Sequence, residues 1–276
     1  MALIDSPQNQ QVKHFRSLLT KKGRQRAGLC PLEGVRLIES ALDGGAHIKA
    51  AYTCPELLTD DRAQALIARI KTLGAPVHAL TLRAFESMCD TQNPQGIAAT
   101  ARVSTHQLAD LAPADSGVYL WLHEVRDPGN LGTMLRTAAA FSVRGVVLLG
   151  ECADVYSPKT VRASSGAVFI VPTVVAAWDD AQGWAREHDI YIVATAASAQ
   201  TPASEPSYPQ RLAVIIGSEA HGVADDILKS ADLQVRIPVA DTVESLNAAV
   251  AAGIMLYEVT RVRNRDMPCS PGSGAQ

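Results

Sequence analysis

The sequence predicts an α/β protein in two parts, the second built on a parallel sheet, and three observations carry that reading. Hydrophobic residues make up 47% of the 276 positions, enough to bury a core, and the length suits two compact domains better than one. In the second part, apolar runs at Val118 to Leu122, Val146 to Leu149, Ile190 to Ala194, Leu212 to Ile216 and Leu233 to Ile237 show little polar alternation. Such runs suit strands buried on both faces, and helical segments lie between most of them. In the first part, helix and strand patterns alternate on a smaller scale.

The opening MALIDSPQNQ has no basic-then-apolar signal pattern, and no apolar run approaches the roughly 18 residues of a membrane span, so a soluble, unprocessed protein is expected. Gln10 to Arg26 carries Lys13, Arg16, Lys21, Lys22, Arg24 and Arg26 with His14 and no acid, while Val12, Phe15, Leu18 and Leu19 recur at helical spacing. That predicts one basic amphipathic helix, which serves either as a solvated face or as a phosphate-contacting arm. The pattern then predicts a helix over 34–42, a strand over 48–53, a helix over 59–73, a strand over 77–80, a helix over 82–88 and a strand over 97–103. Residues 1–104 form a first domain. The polar, turn-prone stretch 105–117 is the linker, 118–263 the second domain, and 264–276, with two prolines, two glycines and no periodic apolar residues, a disordered tail.

The formal charge of −3 does not mark a polyanion binder as a whole, so any such contact must come from a local patch. Five scattered cysteines without a CxxC pair argue against a disulfide framework and against zinc, and place the chain in a reducing cytoplasm.

Three segments of the second domain each follow a predicted strand, where open α/β sheets bind ligands. The first, from Asp127 to Ala138, has a strand ending at Val125, a Pro-Gly turn and a helix that Asn130 caps, with Arg136 about one and a half turns in. Asn130 and Arg136 are either a cap and a surface residue or a pair facing a phosphate or ribose. The second, Ile216 to Val223, opens another helix; its glycines let backbone approach a ligand, and Glu219 either binds a hydroxyl-bearing or cationic group or caps that helix. It lacks the Lys-Ser/Thr ending of a triphosphate-binding loop. The third, Ile237 to Gly253, runs from a strand through a polar loop into an Ala-rich helix beginning near Ser245, with Ser245 and Asn247 at its mouth. Capping by Ser245 is compatible with a ligand role.

In this order, N-x-G-x-x-x-R, G-S-E-x-x-G and I-P-x-x-x-x-x-S-L-N resemble the three motifs of the SpoU (TrmH-like) RNA 2′-O-methyltransferases. The opening Gln10 to Leu42, leading to Leu32-Glu33-Gly34-Val35-Arg36-Leu37-Ile38, resembles the small substrate-binding domain of many members. The resemblance implies a C-terminal trefoil-knotted parallel-sheet (SPOUT) domain behind a small α/β domain of ribosomal-protein L30e-like type. It implies S-adenosylmethionine as cofactor, held by Thr195, Ala196, Ile216, Gly217, Ile237, Ser245, Leu246 and Asn247, and a homodimer. It assigns catalysis to Arg136 at the reacting hydroxyl, with Asn130, Glu219, Ser245 and Asn247 arranging ribose, cofactor and arginine. Arg136 acts there either as base or as phosphate clamp. RNA contact would fall to Lys13, Arg16, Lys21, Lys22, Arg24, Arg26 and Arg36. No metal is expected, and His221, at a variable motif position, stays outside the catalytic set. The reaction implied is methyl transfer to a ribose 2′-hydroxyl, with 23S ribosomal RNA favoured over tRNA. The alternative is a catalytically inactive RNA-binding relative. No G-x-S-x-G elbow supports a hydrolase.

Overall fold

The structure, a computed structural model, describes residues 3–58, 60–111, 115–240, 242 and 245–265. The chain divides into two compact units, the first made of Met1–His106, Arg126–Ala139 and Ala153–Thr173, the second of Gln107–Val125, Ala140–Cys152 and Val174–Gln276.

In the first unit the basic run is not one helix but two, α1 (Gln10–Ser17) and α2 (Lys21–Ala27). The break follows from local chemistry: the Thr20 hydroxyl accepts from the Gly23 amide and caps α2, a bond that a continuous helix would forgo. Strand β1 (Leu29–Glu33) comes next and escapes sequence reading, because Pro31 argues against a strand. The sheet order explains why proline is tolerated, since β1 lies at an edge in the order β1-β4-β2-β3. Then follow α3 (Val35–Asp43), β2 (Ile48–Thr53), α4 (Asp61–Thr72), β3 (Val77–Ala79), α5 (Leu82–Glu86) and β4 (Ile97–Arg102). Strand β4 runs antiparallel to β1 and β2, and β2 runs parallel to β3. Val12 and Phe15 of α1 pack with Tyr52, Leu80, Phe85 and Met88 in one apolar cluster on the sheet.

Helices α6 (Pro128–Ala140) and α7 (Pro158–Ala163) also belong to this unit, apart from the last residue of α6. Arg162 pairs with Asp90 at 2.8 Å, and Tyr156 bonds the Ser104 backbone through its hydroxyl.

The second unit holds a seven-stranded sheet in the order β7-β6-β5-β10-β8-β11-β9. Its strands are β5 (Gly117–His123), β6 (Gly145–Leu149), β7 (Thr173–Ala176), β8 (Tyr191–Thr195), β9 (Thr201–Pro202), β10 (Arg211–Ile216) and β11 (Leu233–Arg236). Every pairing from β6 through β9 is parallel. The five apolar runs are thus five strands of a largely parallel sheet, while β7 and β9 were too short to read. Trp121 on β5 is fully buried, and Tyr119 meets Trp184 of α8 (Trp178–Glu187) edge-on at 5.1 Å. Leu111, in the stretch expected to be linker, is buried in the same cluster. Helix α9 (Asp225–Ser230) precedes β11, and α10 (Ala248–Arg265) closes the described chain. It runs two residues past the expected domain end at 263; the rest of the expected disordered tail lies outside the described residues. Among the described residues no helix is long and apolar enough to cross a membrane.

Candidate active site

A cavity of about 550 Å³ opens in the second unit at the carboxyl ends of its parallel strands, and its walls come from the end of β8 and from the second and third motif segments. Thr195 and Ala196 line it where β8 ends, Gly217, Ser218 and Glu219 where β10 ends, and Ile237 where β11 ends. Ser245 and Leu246 close it from just before α10, and Ala248 and Ala251 from its first turn.

The strand-to-helix turn after β10 is closed on itself. Ser218 and Gly222 exchange backbone hydrogen bonds at 3.2 and 2.9 Å, and the Ser218 hydroxyl accepts from the His221 amide at 3.2 Å. This folds the backbone directly onto Gly217: a β-carbon there would lie 2.0 Å from the carbonyl carbon of Gly222 and 2.2 Å from the Val223 nitrogen. Only glycine fits, so the motif's first glycine is set by close approach of backbone. The side chain of Thr195 is fixed too, its hydroxyl donating to the Ile215 carbonyl at 2.9 Å. The lining mixes apolar Ile237, Leu246 and Val223 with hydroxyls and two carboxylates, Glu219 and Asp225.

Of the eight residues expected to hold a cofactor, Thr195, Ala196, Gly217, Ile237, Ser245 and Leu246 line this cavity. Ile216 is buried in its strand, and Asn247 turns to the helix: its Oδ1 accepts from the amides of Ala249 at 2.9 Å and Val250 at 3.3 Å. Asn247, not Ser245, therefore caps α10, which starts at Ala248. Glu219 caps no helix, because α9 begins only at Asp225, after Ala224. Ser218, His221, Val223 and Asp225 line the cavity without having been expected there; the closed Ser218–Gly222 turn that brings them in has no signature in linear spacing.

Asn130 and Arg136 stand on α6, in the first unit. Strand β5 stops at His123 rather than Val125, and the helix begins at Pro128, so Asn130 sits inside the first turn. Asp127 holds that turn instead, its Oδ1 accepting from the Asn130 amide at 2.8 Å while its Oδ2 meets Lys159 at 3.1 Å. The Asn130 amide first, then Lys159, hold the Asp127 carboxyl below its ordinary range. An Asp followed by proline at the first helical position is a start signal that the sequence carried. Arg136 lies two turns into α6, exposed, its guanidinium in no ion pair or hydrogen bond among the described residues.

The basic set divides as well. Lys13, Arg16, Lys21, Lys22, Arg26 and Arg36 are exposed. Arg24 is not: it is 5% exposed, bonds the carbonyls of Leu18 and Leu19 at 2.8 and 3.0 Å and pairs with Asp154 at 2.7 Å. It leaves the RNA-contacting set, since it is buried and both terminal nitrogens of its guanidinium are bonded inside the first unit.

Comparison with known proteins is consistent across the chain. The model of the SpoU rRNA methylase family matches residues 117–257, and that of the MRM3-like substrate binding domain matches residues 9–99. The chain is 33% identical to the 23S rRNA (guanosine(2553)-2′-O)-methyltransferase RlmP of Bacillus subtilis, over 94% of this chain and 99% of the relative. An uncharacterized tRNA/rRNA methyltransferase of Synechocystis is 34% identical over 95% of this chain and 94% of its own length. Among solved structures, the AdoMet-bound rRNA methyltransferase of Sinorhizobium meliloti superposes with a TM-score of 0.85 at 30% identity, covering 97% of this chain and 99% of that one.

Proposed function

This chain belongs to the SpoU rRNA methylase family, and from that premise we propose that it transfers a methyl group from S-adenosylmethionine to a ribose 2′-hydroxyl of 23S ribosomal RNA. The observation that carries the proposal is the cavity at the strand ends, walled by the second and third motifs together. Its residues fit the cofactor: Ile237, Leu246 and Val223 offer apolar walls to an adenine, the backbone around Gly217 offers hydrogen bonds at close range, and the carboxylates of Glu219 and Asp225 suit a cation. When bound, the cofactor supplies an electrophilic methyl on a positively charged sulfur. The chain's part is to position the ribose and to manage the proton of its hydroxyl. Arg136 orients the neighbouring phosphate and stabilises charge developing on the attacking oxygen, because a guanidinium is a poor base and a good fork for phosphate. Asn130 and Glu219 arrange the ribose, Ser245 the cofactor, and Asn247 acts through the start of α10. Exposed Lys13, Arg16, Lys21, Lys22, Arg26 and Arg36 hold the RNA backbone.

The same reading includes a trefoil knot in the second unit, an L30e-like first domain, a cytoplasmic location and a homodimer. Four unpaired thiols among the described residues suit a reducing compartment. For the dimer, Val250 and Tyr257 on α10 are 51% and 55% exposed, and Ile254 lies between them at helical spacing, an apolar ridge of the kind that a second subunit covers. A Tyr257→Asp variant is expected to sediment as a monomer where the wild type sediments as a dimer; equal sedimentation of both would remove the ridge from the interface.

The test of the activity is methyl transfer from labelled S-adenosylmethionine to unmodified cellular RNA. Label that blocks alkaline cleavage and falls by two or more orders of magnitude with Arg136→Ala is the expected result, a loss of the size seen when a charge-stabilising donor is removed. Cofactor binding with no transfer to any RNA would favour an inactive RNA-binding relative.

A further inference from the structure

The first unit carries a second concave surface that the active site does not use. One hollow, of about 430 Å³, lies between α1 and the sheet, walled by Gln10, Gln11, His14, Lys49, Tyr52 and His78 among others. A second, of about 520 Å³, continues from it over α2 and shares His14, with Lys22 and Arg26 on its wall. Acidic residues outnumber Lys and Arg over the whole chain, 28 to 25, yet neither hollow has an aspartate or glutamate on its wall.

From this we infer that the two hollows form a binding groove for an unpaired RNA nucleotide, with the base against His14 and His78 and the flanking phosphates on Lys49, Lys22 and Arg26. The inference deepens the proposed function and rests on the substrate being RNA. Three features give the groove its chemistry. His78 rests against the buried ring of Tyr52, 5.6 Å between centroids and tilted 32°, and Tyr52 is in turn backed edge-on by Phe15 at 5.3 Å. A stacking platform needs that kind of fixed ring, and it tolerates any sequence because every base has a face to stack. Gln11 accepts from the Tyr52 hydroxyl through Oε1 at 3.4 Å, which leaves its amide nitrogen to donate to a base edge. Lys49, Lys22 and Arg26 are exposed, so their charges are available to displace counterions from a phosphate backbone.

Duplex RNA cannot use the groove in this way, since its bases are stacked and paired. The experiment is therefore fluorescence polarisation with the full-length protein and a short fluorescein-labelled single-stranded RNA of mixed sequence, repeated with the same strand annealed into a duplex. His78→Ala and His14→Ala are expected each to weaken single-strand binding by about tenfold and to leave duplex binding unchanged. His78→Phe, which keeps a stackable ring, is expected to restore the single-strand affinity, a rescue that a merely structural role would not give. Lys49→Ala and Lys22→Ala are expected each to lower the slope of log affinity against log salt by about one or slightly less. Unchanged single-strand binding in both histidine variants overturns the inference, and so does an equal loss for strand and duplex, which would make the surface a phosphate patch alone. Wild-type methyl transfer is read in parallel. Transfer without any effect of the histidine variants removes the groove and keeps the enzyme; loss of strand binding in those variants with no transfer keeps the groove and removes the enzyme.

Discussion

Replacing Gly132 with alanine tests how α6, the helix that carries Arg136, is held. Gly132 lies on the buried side of α6, one turn before Arg136, and α7 crosses there: an added β-carbon would sit 2.5 Å from Ala163 Cβ, 2.6 Å from the Thr160 carbonyl oxygen and 2.9 Å from the Ser164 nitrogen. Carbon atoms in ordinary contact stand about 3.5 Å apart, so the two helices must separate by about 1 Å. Two of the three clashing atoms are backbone and cannot swing aside, which puts the overpacking cost near the upper end of its range, about 3 kcal/mol. Alanine returns about 1 kcal/mol in helix propensity, leaving a net loss of about 2 kcal/mol, or roughly 5 °C in unfolding temperature. Activity should suffer more than stability. Arg136 rides on the displaced helix, and under its proposed role a displacement of about 1 Å lowers turnover by about a hundredfold. Affinity for S-adenosylmethionine should not change, because every described residue lining the cavity proposed to bind it lies in the second unit. The assay combines thermal unfolding, cofactor titration by calorimetry and kcat for methyl transfer. A variant as stable as the wild type with unaltered kcat would show that the crossing relaxes without moving Arg136, and would refute the reasoning.

Arg24→Ala should cost about 3 kcal/mol in urea unfolding, the lower end for removing one partner of a buried pair, since Asp154 keeps 24% of its side-chain surface; a loss below about 1 kcal/mol would return Arg24 to the surface set. Asp127 makes stability depend on acid: its folded carboxyl titrates below the unfolded one, so its contribution is present above the ordinary carboxylate range near pH 4 and is lost as pH falls through the lowered value. Asp127→Asn keeps a capping oxygen and should flatten that part of the pH–stability curve; an unchanged acid limb would assign the effect to other carboxylates.

How much could be read beforehand depended on what kind of information each feature used. The five strands from Val118 to Ile237 were legible because burial on both faces leaves no polar alternation to mistake. Strand β1 was not, because Pro31 reads as a breaker until the sheet order shows that its strand is an edge. The basic run was read as one helix because periodicity passes unbroken through Leu18 and Leu19, while the interruption depends on a single hydroxyl at Thr20. The same limit moved the caps. Asn130 and Ser245 have capping side chains at plausible positions, yet Asp127 and Asn247 make the bonds, a choice of a few residues that spacing cannot resolve. Arg24 shows the reverse problem: charge patterning counts a cation and is blind to whether it faces solvent or a carboxylate 130 positions away.

That distant pairing bears on the order in which the protein can assemble as it is synthesised. Residues 1–106 emerge first, and their sheet has its strands complete by Arg102. Yet the partner of Arg24, the hydroxyl that bonds Ser104 and the guanidinium that pairs with Asp90 all arrive later, on residues 154, 156 and 162. Until Asp154 has left the ribosome, a folded first unit would hold a buried cation without its counter-charge, an expensive state. A fragment cut at His106 would stop at that stage permanently. The first unit is therefore expected to fold late rather than first, together with the stretch of chain that runs out into the second unit and back.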